Sequence, residues 1–135
     1  MYSAKLKQDL QFGLQMEINN FDKFKSFLNC PDLKQTKQNH IFDYESDDHL
    51  VELKTRRCCS TTYKDTMIPL NKIDHCKTTT KEVFFFFHFT DGLFYWKYTD
   101  DDFKKCRLAK GGRVDRSRLE IKPYCYIPYD LLTPL

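Results

Sequence analysis

Nowhere in this chain does an apolar run approach the roughly 20 residues needed to cross a bilayer. The longest, Val83-Phe84-Phe85-Phe86-Phe87, falls far short, so no membrane span is expected. Residues 1–10 carry lysines but no continuous apolar stretch. That leaves no secretory signal and predicts an intracellular protein, of cytoplasm or nucleus. The six cysteines, Cys30, Cys58, Cys59, Cys76, Cys106 and Cys125, contain no CxxC pair. Adjacent Cys58 and Cys59 are poorly placed to share one tetrahedral zinc, and His75-Cys76 has no second close pair to complete a site. In a reducing compartment these read as small buried or surface thiols. Internal repeats, low-complexity tracts and linkers are missing too, and 135 residues suit a single domain, 1–135.

Aromatic residues, by contrast, are plentiful: they make up 16% of the chain, and core packing is their natural use. Residues 83–90 and 93–99 are β-prone runs joined by Asp91-Gly92, a two-residue hairpin signal. A turn centred there sets Phe87 opposite Trp96 and Phe89 opposite Phe94, with His88 a satisfied strand residue. Leu6, Leu10, Leu14, Ile18 and Phe21 recur at spacings of three and four, the apolar stripe of an N-terminal helix. Residues 61–66 are polar and turn-rich. Pro69 then suits the first turn of a short helix reaching about Lys77. Asp100-Asp101-Asp102 reads as an exposed acidic break and residues 124–129 as a last strand. The expected fold is α+β: an N-terminal helix, a central mixed or antiparallel sheet of hairpins, one short helix and a β-rich C-terminal half.

The stretch from His40 to Lys54 alternates with a period of two, the mark of a half-buried strand. Folding it about Asp47-Asp48 sets Asp43 opposite Glu52, and opposed residues carry their Cβ atoms roughly 5 Å apart on one face. Lys54, two residues on, emerges on that face as well. Phe42, Tyr44, Val51 and Leu53 are then expected to point the other way, into a core. A second Glu-x-Lys triplet, Glu120-Ile121-Lys122, is weaker. With Gly111-Gly112 as its turn, Glu120 and Lys122 fall in phase with Arg116 and Arg118, a solvated charged face. A third acid joins the first triplet, because at 100° per residue Glu17 lies inside the helical stripe between Leu6 and Leu10. A carboxylate there needs a cation or a basic partner, or else sits at the core boundary.

A helix bearing Glu17, followed by a hairpin bearing Asp43 and Glu52-Leu53-Lys54, resembles the PD-(D/E)XK nucleases. The run Val51-Glu52-Leu53-Lys54-Thr55-Arg56 is similar to the central strand of many members. The resemblance covers roughly the first two-thirds of the chain. Phe42 stands where the family name has proline. What the resemblance implies is a restriction-endonuclease-like core with one or two divalent metals, Mg²⁺ or Mn²⁺. Its short helix would follow the strand that carries Glu52 and Lys54. In such a site Asp43 and Glu52 would hold the metal, with the carbonyl of Leu53 as a further oxygen ligand. Lys54 would position the attacking water or neutralise developing charge, and Glu17 would orient water or complete the shell. Glu17, Asp43, Glu52 and Lys54 are thus the candidate catalytic set.

Charge points to a partner. The net value is only +3, but basic residues cluster between Phe103 and Lys122, where Arg113, Arg116 and Arg118 fall on one strand. A second group, Lys54, Arg56, Arg57 and Lys64, lies beside the carboxylates, with Lys72 following. Clustered cations on strands can track a phosphate backbone, so Arg56, Arg57, Lys64, Lys72, Arg113, Arg116 and Arg118 are candidate nucleic-acid contacts, with DNA the expected partner. His49 flanks the site as a phosphate contact or a hairpin shoulder. The leading expectation is a metal-dependent deoxyribonuclease. A non-catalytic nucleic-acid-binding or scaffold domain of the same fold, in a transcription or replication assembly, is the alternative. The third reading is a protein-interaction module whose Asp43, Glu52 and Lys54 form a cross-strand ion cluster. A homodimer or a partner subunit is compatible with each.

Overall fold

The structure is a computed structural model that describes residues 3–37, 39–111 and 121–135. It opens with a long helix, α1 (Ala4–Phe27), whose first turn is capped by Ser3 as its hydroxyl accepts from the Leu6 amide at 3.1 Å. Asn29 ends it with φ 50°, a left-handed conformation that asparagine tolerates better than most residues. Strands β1 (Lys34–Gln35), β2 (Tyr44–Glu45) and β3 (His49–Thr55) follow, then β4 (Asp65–Pro69) and helix α2 (Leu70–Cys76). Strands β5 (Glu82–Phe89) and β6 (Gly92–Lys97) lead to the one-turn helix α3 (Asp100–Phe103). Strands β7 (Arg107–Gly111), β8 (Lys122–Pro128) and β9 (Thr133–Pro134) complete the described chain. No helix among the described residues is long and apolar enough to cross a membrane.

The expected α+β class holds. A mixed six-stranded sheet runs β1-β2-β3-β5-β6-β9, and a three-stranded antiparallel sheet runs β4-β8-β7. At the centre of the larger sheet β3 and β5 are parallel, with Glu52 beside Phe85 and Lys54 beside Phe87. Parallel neighbours need a crossover, and β4 with α2 supplies it. Both faces of this central pair are covered. Phe84 and Phe86 pack with Val51, Leu53, Tyr44 and Phe24 beneath α1. On the other face Phe85 and Phe87 pack with Leu50, Trp96, Ile68 and Ile127, against α2 and the smaller sheet. Burial on both faces explains the unbroken phenylalanine run in β5.

Four expectations need correction. Phe42 does not share a face with Tyr44, Val51 and Leu53; it packs with Leu50 and Phe85 on the opposite side, because the regular pairing of β2 begins only at Tyr44. The β5–β6 register is centred on Thr90-Asp91, so Phe87 faces Phe94 and Phe85 faces Trp96. There Asp91 accepts from the amide and hydroxyl of Ser60 at 2.8 and 2.6 Å, and Gly92 supplies φ 146° at the start of β6. Gly111-Gly112 is not the turn of the later hairpin, since Gly111 still pairs with Lys122. A Cβ at Gly111 would meet the Tyr126 hydroxyl oxygen, so a larger residue there would force that phenol to shift. Asp100-Asp101-Asp102 forms most of α3, with the Thr99 hydroxyl accepting from the Asp102 amide.

The apolar stripe of α1 is also misplaced. Phe24 and Asn20 are its buried residues, while Leu10, Leu14 and Ile18 are each more than half exposed. The helix turns its Gly13-Glu17-Asn20-Phe24 line inward. Its first three turns overhang the sheet instead of packing on it.

Candidate active site

The β2–β3 hairpin closes at Asp47-Asp48, pairing Tyr44 with Val51 and Glu45 with Leu50. One step further out, Asp43 and Glu52 are brought together. The Asp43 amide donates to the Val51 carbonyl at 3.0 Å, and its carboxylate Oδ2 accepts from the Leu53 amide at 2.8 Å. Asp43 is thereby clamped at the hairpin's open end. Glu17 arrives from α1 and meets Asp43 side chain to side chain. The helix is held there by Tyr44, whose hydroxyl donates to the Glu17 carbonyl. Glu17, Asp43, Glu52 and Lys54 all line one cleft of about 810 Å³.

Glu52 lies at the foot of this cleft, its side chain 4% exposed. Lys54 Nζ approaches Oε2 at 3.4 Å from the same strand, and Lys72 Nζ approaches the same oxygen at 3.4 Å from α2. Oε1 has no hydrogen-bond partner among the described residues. A buried, unsatisfied carboxylate oxygen is costly in a structural role. Burial pushes Glu52 up to about 7 despite the two lysines, and the nearby Asp43 charge adds to the shift. Burial also pushes Asp43 up to about 6, reinforced by the negative charge of Glu17. Glu17 is itself raised, chiefly by burial. Three carboxyl groups crowded into one low-dielectric corner disfavour one another's charge, and a divalent cation relieves that repulsion.

The donor set suits a hard cation: carboxylate oxygens, a nearby backbone carbonyl and one oxygen without a partner. Among the described residues no group of three His, Cys, Asp or Glu side chains already converges on one point. The fit is therefore to an ion held by one or two carboxylates, which completes its shell with water and phosphate, as Mg²⁺ commonly does.

The basic residues separate into distinct positions. Lys72, read from sequence as a phosphate contact, is instead tucked against Glu52 with its side chain 15% exposed. Its ammonium donates to the Ile41 carbonyl and lies 5.5 Å from the centroid of the Phe42 ring. Within α2 Lys72 shares a face with Cys76, whose thiol donates to the Lys72 carbonyl, but that phase alone does not point to Glu52. Arg56 lines the cleft and braces the two sheets, donating to the Met67 carbonyl at 2.5 Å. Arg57 is exposed on the cleft wall, paired with Asp9 at 3.4 Å and lying over the Phe12 ring. Lys64 is exposed at the start of β4 and is not among the cleft-lining residues. Arg113, Arg116 and Arg118 lie outside the described residues, as does Glu120. Lys122, from the triplet set aside on sequence, reaches the cleft rim. Sequence reading missed Phe12, Tyr63, Tyr124 and Tyr126 as cleft residues, since they come from α1, the β3–β4 connection and β8, and only the tertiary fold gathers these elements around one cleft.

No curated protein and no solved structure matches this chain. The profile of a family described as "Phage putative PDDEXK endonuclease" matches residues 13–135. The match takes in the α1 turn bearing Glu17, the hairpin and both sheets. The chain belongs to this PD-(D/E)XK endonuclease family.

Proposed function

We propose that this protein is a single-domain, metal-dependent nuclease that hydrolyses phosphodiester bonds in DNA. The observation that carries the proposal is Glu52: a buried carboxylate beside Asp43 and two lysines, with one oxygen lacking a partner among the described residues, at the foot of an open cleft. Asp43 and Glu52 would hold Mg²⁺ or Mn²⁺, with the Leu53 carbonyl as a further oxygen. When bound, a divalent cation makes water easier to deprotonate and neutralises charge on a phosphate.

The chain's own groups supply the rest. Lys54, 3.4 Å from Glu52, presents an ammonium where the attacking water or the phosphate's developing negative charge would lie. Glu17 reaches in from α1 to orient that water through a carboxyl oxygen. Lys72 stays on Glu52 and keeps this glutamate's charge bearable while the site is empty of substrate. Arg57 and Lys122, at the cleft's margins, offer positive charge to the phosphates on either side.

One observation favours a second reading. With both lysines on the same Glu52 oxygen, the cluster could serve as a permanently neutralised structural site in a non-cutting, nucleic-acid-binding member. The deciding experiment incubates the protein with Mg²⁺ and with Mn²⁺ over supercoiled, linear, branched and single-stranded DNA. Metal-dependent cleavage lost in Asp43→Asn supports the nuclease. DNA binding without cleavage under any of these conditions selects the second reading.

A further inference from the structure

The walls of the cleft ask for something different from its floor. On one side α1 presents Leu10, Phe12 and Leu14 to the opening, all substantially exposed. On the other side stand Tyr126 of β8 and, from the β3–β4 connection, Tyr63, which is 67% exposed. Isolated exposed apolar side chains are ordinary, but several facing one cleft call for a ligand. Cations stand among these rings: the Arg57 guanidinium lies 4.6 Å from the Phe12 centroid, and Lys122 Nζ lies 6.0 Å from that of Tyr124.

An intact duplex keeps its base faces stacked inside and shows a protein its phosphates, sugars and groove edges. It gains from cations and finds little use for Phe12 or Tyr63. An unpaired strand exposes the π-face of every base, and proteins that hold such strands combine aromatic platforms with a positively charged track. Size agrees. A cleft of about 810 Å³ is in the range that encloses a small-molecule ligand, hence a nucleotide or two.

We propose that this cleft takes an unpaired DNA segment, its bases against Phe12 and Tyr63 and its phosphate over Asp43 and Glu52. The substrate class is then single-stranded DNA, free or as the unpaired part of a branched molecule. The inference rests on the nuclease reading for the chemistry at the floor, but its binding test does not.

Binding is measured on full-length Asp43→Asn protein by fluorescence anisotropy. The probe is a labelled oligonucleotide longer than the ~16 nucleotides of the largest single-fold sites, single-stranded or annealed to its complement. The expected result is at least about tenfold tighter binding of the single strand. Phe12→Ala and Tyr63→Ala should each weaken it about tenfold, as loss of one stacked base does, with little change for duplex. Tyr63→Phe keeps the ring and should keep the affinity. Melting temperatures are checked alongside, and Tyr63→Ala alone carries the test if the Phe12 variant melts low. Equal affinity for both probes, or ring removal without effect in a folded variant, overturns the proposal. Wild-type protein that shows the ring-dependent preference yet cuts nothing with Mg²⁺ or Mn²⁺ upholds it and removes the nuclease reading. Equal cutting of duplex and single strand, unaffected by loss of the rings, does the reverse.

Discussion

Two glutamates on neighbouring strands of the same sheet, Glu52 and Glu82, each face lysine, and the contrast between them separates a site from a surface. Glu82 is about half exposed and pairs with Lys97 at 2.8 Å and His49 at 3.3 Å. Its hydrogen bond from Lys97 holds it below the usual carboxylate range. Glu52 has two lysines, each farther away at 3.4 Å, yet burial pushes it up to about 7. Ion pairs at the surface settle a charge cheaply; the buried pair leaves a carboxylate still short of a partner. Only the second arrangement gains from an added divalent cation.

The largest separation should come from catalysis. A metal contributes several kcal/mol of charge stabilisation to phosphoryl chemistry, so Glu52→Gln should cut turnover on the order of 10³-fold or more. Glu82→Gln should leave turnover within about twofold of wild type. Initial rates on a labelled single-stranded substrate in Mn²⁺ measure both. Comparable losses in the two variants would dissolve the distinction between them.

Metal-linked stability should be the next effect in size. At a metal concentration about 100 times Kd, binding to the folded state alone adds about 2.7 kcal/mol, readable as an upward shift in melting temperature. Wild type and Glu82→Gln should shift together with Mn²⁺, and Asp43→Asn should not shift. Asp43→Asn should still fold, because it relieves repulsion with Glu17 and Glu52. An undiminished shift in Asp43→Asn would place the ion elsewhere.

How far this comparison was legible in the sequence follows from how local each contact is. Asp43 opposite Glu52 depends on ten residues and a turn at Asp47-Asp48, and period-two alternation suffices to find it. Glu17 needed only helix phase. Its place in the cleft survives even though the apolar residues around it were assigned to the wrong face: Leu10 and Leu14 wall the cleft and Ile18 is exposed, instead of filling a core. Lys72 was read as a phosphate contact because no local pattern says that α2 returns beneath β3. That approach is set by the parallel β3–β5 pairing and its crossover. The one-step error in the β5–β6 turn has a similar origin: Asp91 is claimed by Ser60 from a distant loop, which no hairpin rule contains.

The two glutamates should also drive stability in opposite directions with pH. Glu52 titrates higher folded than unfolded, so the folded metal-free protein holds that proton more tightly. Its contribution is full below the ordinary carboxylate range and is lost as pH rises toward about 7. Asp43 acts in the same sense up to about 6. Glu82, depressed, contributes above the ordinary range and loses its contribution on acidification. Urea unfolding of the metal-free protein should therefore show stability falling from about pH 5 to pH 7, and Glu52→Gln should flatten that slope. Lys72→Met should steepen it, with a larger loss at pH 8 than at pH 5: the bond to the Ile41 carbonyl is lost at both, but the pair with Glu52 matters only where Glu52 is charged. A slope unaffected by either change would mean that Glu52 is not the group titrating.

The smallest effect expected is the one at Glu82 itself. Its pair with Lys97 has good length at 2.8 Å, but both side chains are about half exposed, so water and salt share the charge. Exposed pairs of this kind contribute about 0.2–1 kcal/mol. Glu82→Gln and Lys97→Met should each cost less than about 1 kcal/mol at low ionic strength. The cost should shrink toward zero at about 1 M salt, where the screening length falls to about 3 Å. Loss of Lys72 from Glu52 should persist at that salt concentration, because a pair 4% and 15% exposed is little reached by ions. A double-mutant cycle on each pair, run at both salt concentrations, isolates the coupling from changes in packing. Salt-insensitive coupling at Glu82–Lys97, or salt-erased coupling at Glu52–Lys72, would make the two glutamates the same kind of residue after all.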